Sequence, residues 1–135
     1  MPGPAYLLDT DWIIDHLSGV ERVSRKILEL DQAGLAVSIV SLAELYEGVH
    51  FARDPVKSLD AFRRFRNGMK VISLDEDICS WFGQERGRLR RIGRIVGDFD
   101  LLIGGTAIRH GLILCTNNRR HFEMIDDLRL LSVDR

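Results

Sequence analysis

The chain has 135 residues, 45% hydrophobic and 29% charged, with a formal net charge of -1. That balance belongs to one ordinary soluble domain, expected over residues 1–135 and long enough to enclose a core. It excludes a whole-molecule pull toward nucleic acid or membrane, although not a local basic patch. No apolar run approaches the roughly 18 residues of a spanning helix, and Met-Pro-Gly-Pro does not open like a signal peptide. Cys79 and Cys115 are not a closely spaced pair. Cys115 ends the apolar run Leu112-Ile113-Leu114, so a buried free thiol, no zinc site and a reducing cytoplasm are expected.

Ala5 to Leu8 is a short apolar run that predicts a buried strand. Asp9-Thr10-Asp11 then caps a helix through Trp12, Ile13, Ile14 and Leu17, stopped at Ser18-Gly19. A second helix is expected from Val20 to Gln32, with Val23, Ile27, Leu28 and Leu30 inward and Gly34 at its end. Leu35 to Val40 is the next strand, rich in β-branched residues. Ser41-Leu-Ala-Glu44 follows as a Ser-x-x-Glu capping box, and Leu42, Leu45, Tyr46 and Val49 give an amphipathic stripe. Asp54-Pro55 opens another helix, running to about Asn67-Gly68.

Val71 to Leu74 is a short strand, and Asp75 opens a helix with Ile78, Phe82, Leu89 and Ile92 on one face. Glu85 falls on that face, so it is expected partly buried with an arginine partner or beside the functional site. A helix from Asp98 to His110, with Asp98 near its N-cap, ends at Gly111. Leu112 to Cys115 is another strand, Thr116-Asn-Asn118 a turn, and Leu128 to Val133 a last edge strand. Strands alternating with helices predict an α/β fold: a central, mainly parallel sheet flanked by helices on both faces.

In such a sheet, ligands bind beyond the carboxyl ends of the strands. Asp9 ends the first strand, Glu44 follows the second, Asp100 opens the helix before the Leu112 strand, and Asn118 lies just past that strand. Each has a plain structural role open to it: helix cap, capping box, first-turn acid or turn former. Their meeting at one rim is harder to ascribe to chance. Bare carboxylates at close range repel, and a cation relieves them; all-oxygen ligands select Mg²⁺ or Mn²⁺. Arg86, Arg88, Arg90, Arg91 and Arg94 cluster beside that rim, and Arg63, Arg64, Arg66 and Lys70 form a second group. Either group would hold phosphates without naming a base sequence, or be a solvated helix face.

Leu-Leu-Asp9-Thr-Asp11, Ser41-Leu-Ala-Glu44-Leu-Tyr-Glu-Gly, Gly97-Asp-Phe-Asp100-Leu-Leu-Ile-Gly-Gly-Thr-Ala and Thr116-Asn-Asn118-Arg-Arg-His-Phe resemble the four motifs of the PIN domain. They are most similar to those of the small VapC-type ribonuclease toxins of toxin–antitoxin modules, over nearly the whole chain. The resemblance implies a metal-dependent endoribonuclease, usually a homodimer, neutralised by a cognate antitoxin and leaving 5′-phosphate and 3′-hydroxyl ends. By position it implies Asp9, Glu44, Asp100 and Asn118 at the metal site, with Asp98 close by and Thr116 in support. Asp9 and Asp100 are the expected direct ligands, and Glu44 would hold or deprotonate a water. Many relatives carry Asp at the position of Asn118, which puts a second metal in question.

Three other readings compete. Asp9-Thr-Asp11 also resembles the opening of haloacid-dehalogenase phosphatases, where Asp9 would be a nucleophile. A PIN nuclease acting in RNA processing is another. A non-catalytic binding module, with Phe51, Phe62 and Phe65 forming a partner groove, is the third.

Overall fold

A computed structural model describes residues 3–134. The Met1-Pro2 start, on which the signal-peptide expectation rests, lies outside the described residues. The elements in chain order are β1 (Tyr6–Leu8), α1 (Thr10–Leu17), α2 (Glu21–Leu30), a 3₁₀ turn (Asp31–Ala33), β2 (Leu35–Ser38), α3 (Ile39–His50) and α4 (Pro55–Asn67). Then come β3 (Lys70–Ile72), α5 (Glu76–Arg91), α6 (Asp98–Arg109), β4 (Ile113–Cys115), α7 (Arg119–Phe122) and β5 (Leu130–Leu131). The strands form one sheet in the order β3-β2-β1-β4-β5, every pair parallel.

Side chains alternate across each strand and so divide the core in two. Leu7, Ala36, Ile72 and Leu114 point to one face, where Leu89 of α5, Leu101, Ile103 and Ala107 of α6 and Phe122 of α7 cover them. Leu8, Val37 and Cys115 point to the other, under Trp12 and Ile13 of α1, Val23 and Ile27 of α2, Leu42 and Leu45 of α3 and Phe62 of α4. Both faces are dry, which is why the strands read as unbroken apolar runs. The α/β expectation holds, with a wholly parallel sheet.

Several local expectations change. Leu28 is 76% exposed and Ile92 54% exposed, so neither faces inward. The capping box at Ser41 does not form. Ser38 is the N-cap of α3, its Oγ accepting from Val40 N at 3.0 Å, which draws Ile39 and Val40 into the helix despite their β-branching. Packing of Val40 against the core overrides that propensity. Ser41 then sits inside the helix, buried, and its Oγ has no hydrogen-bond partner among the described residues. Phe62 is buried in the core edge-on to Tyr46, Phe65 lies against the tilted His16 ring, and Phe51 is 85% exposed. The three phenylalanines therefore do not line one groove. Cys115 is buried and free, as expected, and its thiol is pushed up to about 12 by burial.

Helices α5 and α6 pack closely at Gly105, where an added Cβ would lie 2.6 Å from the Trp81 ring. At Gly104 the nearest atom is the Ile125 methyl, at 3.0 Å. Alanine gains up to about 1 kcal/mol of helix propensity at either position, whereas overpacking a rigid ring costs about 1–3 kcal/mol. Gly105→Ala is therefore expected to destabilise the protein and Gly104→Ala to leave it within about 1 kcal/mol. Urea midpoints of the two variants check the ranking.

Candidate active site

The strand order has a switch point between β1 and β4: the chain leaves β1 into α1 over one face and leaves β4 toward α7 over the other. Parallel sheets open a crevice at such a point. Asp9 follows β1 directly, and its backbone N–H donates to Cys115 O at 2.9 Å, which ties the two strand ends together. The residue is 3% exposed. Oδ1 accepts from Thr10 N at 2.8 Å, as the N-cap of α1, and Oδ2 accepts from Thr116 Oγ1 at 2.7 Å.

Around Asp9 stand further carboxylates. Asp11 accepts from Asn117 N at 2.9 Å, and Glu44 Oε1 accepts from Thr10 Oγ1 at 2.6 Å. Asp100, in the first turn of α6, has Oδ2 3.0 Å from His121 Nδ1. Burial raises the Asp9 pKa to about 7, helped by the charges of Asp11 and Asp100 and opposed by the bonds from Thr116 and Thr10. Glu44 is raised by burial and by Asp100, against its bond from Thr10. Asp100 is raised by burial and by Asp11, against His121. The sequence-expected trio Asp9, Glu44 and Asp100 thus shares one electrostatic environment. Among the described residues no three His, Cys, Asp or Glu side chains stand close enough together to hold a metal ion, so the group is loose.

Asp98 is placed elsewhere. It does not cap α6, whose N-cap is Gly97; its side chain is 75% exposed and pairs with Arg86. Arg86 also donates to Val96 O at 2.8 Å, pinning the α5–α6 loop, and is only 18% exposed. Arg88 donates to both oxygens of buried Glu85, at 2.6 and 2.9 Å, and to Met124 O, so Glu85 has the expected arginine partner. Arg90, Arg91 and Arg94 are exposed, and their side chains make no hydrogen bond or ion pair among the described residues.

Asn118 is exposed; its backbone N–H donates to Thr116 Oγ1 at 3.0 Å, and its side chain caps nothing. The neighbouring Asn117 is the structural one. Its Oδ1 accepts from Trp12 Nε1 and Val133 N, each at 3.0 Å, and its Nδ2 donates to Val133 O. Sequence reasoning missed Thr10, Asn117 and His121. The only signal was adjacency to Asp9 and to Thr116-Asn-Asn118, which does not say where a side chain points.

The model of the PIN domain matches residues 6–128, and the chain belongs to the PIN-domain family. It is 35% identical to the tRNA(fMet)-specific endonuclease VapC of Shigella flexneri, over 92% of this chain and 94% of the relative. Its fold is similar to the crystal structure of VapBC2 from Rickettsia felis bound to a promoter DNA fragment, with TM-score 0.90 and 26% identity, covering 96% of this chain and 99% of that one. DNA-bound VapBC from Salmonella typhimurium gives TM-score 0.88 and 29% identity, over 96% and 98% of the two chains. This membership sets aside the haloacid-dehalogenase reading.

The buried carboxylate makes a stability prediction for protein kept in chelator. Folded Asp9 holds its proton to about pH 7, while the unfolded chain releases it near the ordinary value of 3.8. Between those values the native state binds the extra proton, so its stability is full below the lower value and falls as pH rises through the upper one. The slope is at most about 1.4 kcal/mol per pH unit. Urea midpoints from about pH 4 to pH 8 should fall more steeply for the wild-type chain than for Asp9→Asn. Parallel profiles would refute the burial of an ionisable group at this position.

Proposed function

We propose that the chain is a divalent-metal-dependent endoribonuclease, acting in the cytoplasm as the toxin of a toxin–antitoxin pair. The observation that carries the reading is the grouping of Asp9, Glu44 and Asp100 at the sheet's switch point, each raised by burial and within reach of another's charge. An all-oxygen, partly dehydrated, negatively charged donor set fits Mg²⁺ or Mn²⁺. The named nuclease activity of the VapC relative supports the reaction class.

Asp9 and Asp100 are the assigned ligands. Both oxygens of Asp9 keep a lone pair beyond the bonds from Thr10 and Thr116. A bound ion there supplies neutralisation of phosphate charge and activation of water for in-line displacement. Glu44, with Oε1 steadied by Thr10, orients the attacking water and takes its proton. Thr116 holds Asp9 and takes no part in bond making. Arg90, Arg91 and Arg94, unengaged by the protein, bind RNA phosphates in a salt-dependent way. We assign Arg86 and Asp98 to shaping the loop that presents Asp100, because they pair with each other.

An apolar surface away from the carboxylates is available for an antitoxin to dock on. A groove of about 330 Å³ between α1, α3 and α4 is lined by Ile14, Leu17, Leu45, Val49, Ala61 and Phe62. Ile14 is 47% and Leu17 36% exposed, so an amphipathic segment of the antitoxin would bury them there.

Asp9→Asn and Asp100→Asn are each expected to abolish Mg²⁺-dependent cleavage with circular dichroism unchanged; RNA end-mapping after induction of each variant checks this, and wild-type cleavage by either would sink the assignment. Asn118 offers a neutral amide where a second ion would want a carboxylate, so calorimetry without RNA should find a single tight divalent site. Asn118→Asp should add a second, and two tight sites in the wild-type chain would overturn that reading. Ile14→Asp with Leu17→Asp should weaken antitoxin capture while leaving cleavage intact, measured by co-purification and RNA assay side by side.

A further inference from the structure

One side chain at the crevice has no part in the mechanism above. Of the chain's four histidines, His121 is the one against a site carboxylate, with Nδ1 3.0 Å from Asp100 Oδ2. It does not hang from a free loop. Phe122, next in sequence, is 1% exposed in the core and anchors α7. The turn before it is tied down by Asn118 N on Thr116 Oγ1 and by His121 N on Asn118 O. A single turn therefore supplies a donor to each proposed ligand: Thr116 to Asp9 and His121 to Asp100. Oδ1 of Asp100 accepts no hydrogen bond among the described residues.

We infer that His121 is a positioning residue, whose Nδ1–H holds Oδ2 of Asp100 and leaves Oδ1 to be offered to the divalent ion. Nδ1 donates both in the Nδ1–H tautomer and in the imidazolium, so the role does not depend on the ring's charge. As a surface ion pair alone the contact would contribute almost nothing to folding. As the partner that orients a ligand it governs metal affinity, where loss of such a partner costs roughly tenfold to a hundredfold. The inference rests on Asp100 being a ligand, and its test separates the two ideas.

The test is Mn²⁺ binding to the full chain without RNA, followed by the free-Mn²⁺ electron paramagnetic resonance signal. His121→Ala is expected to bind at least about tenfold more weakly. His121→Asn places an amide N–H near the position of Nδ1 and should restore affinity; His121→Gln, whose amide reaches the position of Nε2, should not. Should the alanine variant fail to fold, the Asn and Gln variants still decide the matter. In the wild-type chain the imidazole Nδ1–H should give a downfield proton resonance that Asp100→Asn shifts. If His121→Ala binds like the wild type while Asp100→Asn does not, the role of His121 is refuted and the ligand reading stands. Equal losses in Ala, Asn and Gln, or rescue by Gln alone, would also overturn the Nδ1 role. Wild-type affinity in Asp100→Asn would remove the ligand reading and this inference with it.

Discussion

Asp9 is a carboxylate with almost no water around it, set where two adjacent parallel strands send their chains to opposite faces of the sheet. Burying such a group is costly unless bonds and counter-charge offset it. Here the backbone N–H of Thr10 and the hydroxyl of Thr116 offset part of the cost, but Asp11 and Asp100 add to it, and the pKa rises to about 7. Much of the surrounding architecture keeps that carboxylate in place. Asp9 N bonds to Cys115 O, Ser132 Oγ donates to Thr116 O, and Asn117 joins α1 to the chain's last residues through Trp12 and Val133. Stability is given up at one point and recovered around it, as is common at functional sites.

The same economy of position separates residues that look equivalent. Five arginines lie within a short span of α5 and its following loop, yet they divide by whether the fold offers them a partner. Arg86 and Arg88 point back to the fold, one onto Val96 and Asp98, the other onto Glu85 and Met124. Arg90, Arg91 and Arg94 lie past the helix's packed stretch and face solvent. Arg86 ties down the loop before α6, and Arg88 ties α5 to the chain after α7. The others leave their charge open to solvent, where the proposed phosphate contacts would fall. An overall charge near zero is thus compatible with nucleic-acid binding, since the usable charge is local.

The sheet and its two apolar faces were legible from the chain alone, because strand periodicity and Asp caps at residues 9, 54 and 75 act over a few residues. Burial of Leu7 against one set of helices and Leu8 against the other follows directly from that period. That Asp9 and Glu44, just after strands, and Asp100, at the start of the helix before β4, would be neighbours was legible too, and the structure gives the three one electrostatic environment. Competing caps were harder. Ser38 and Ser41 both suit a helix start, and the choice went to Ser38 because Val40 gains more from the core inside a helix than at the end of a strand.

By itself, then, the sequence determined the element types, the apolar faces and which carboxylates would lie near strand ends, since all of these depend on near neighbours. Only the tertiary structure decided that β1 lies between β2 and β4, and hence that Asp9 meets Thr116 from 107 positions away. It also decided that Asn117 braces the chain while Asn118 faces solvent, that Asp98 turns to Arg86, and that His121 reaches Asp100. Adjacent residues with the same chemistry differ only in direction. Direction is set by strand order and by which helix packs against which, and these are contacts between distant parts of the chain that no local pattern records.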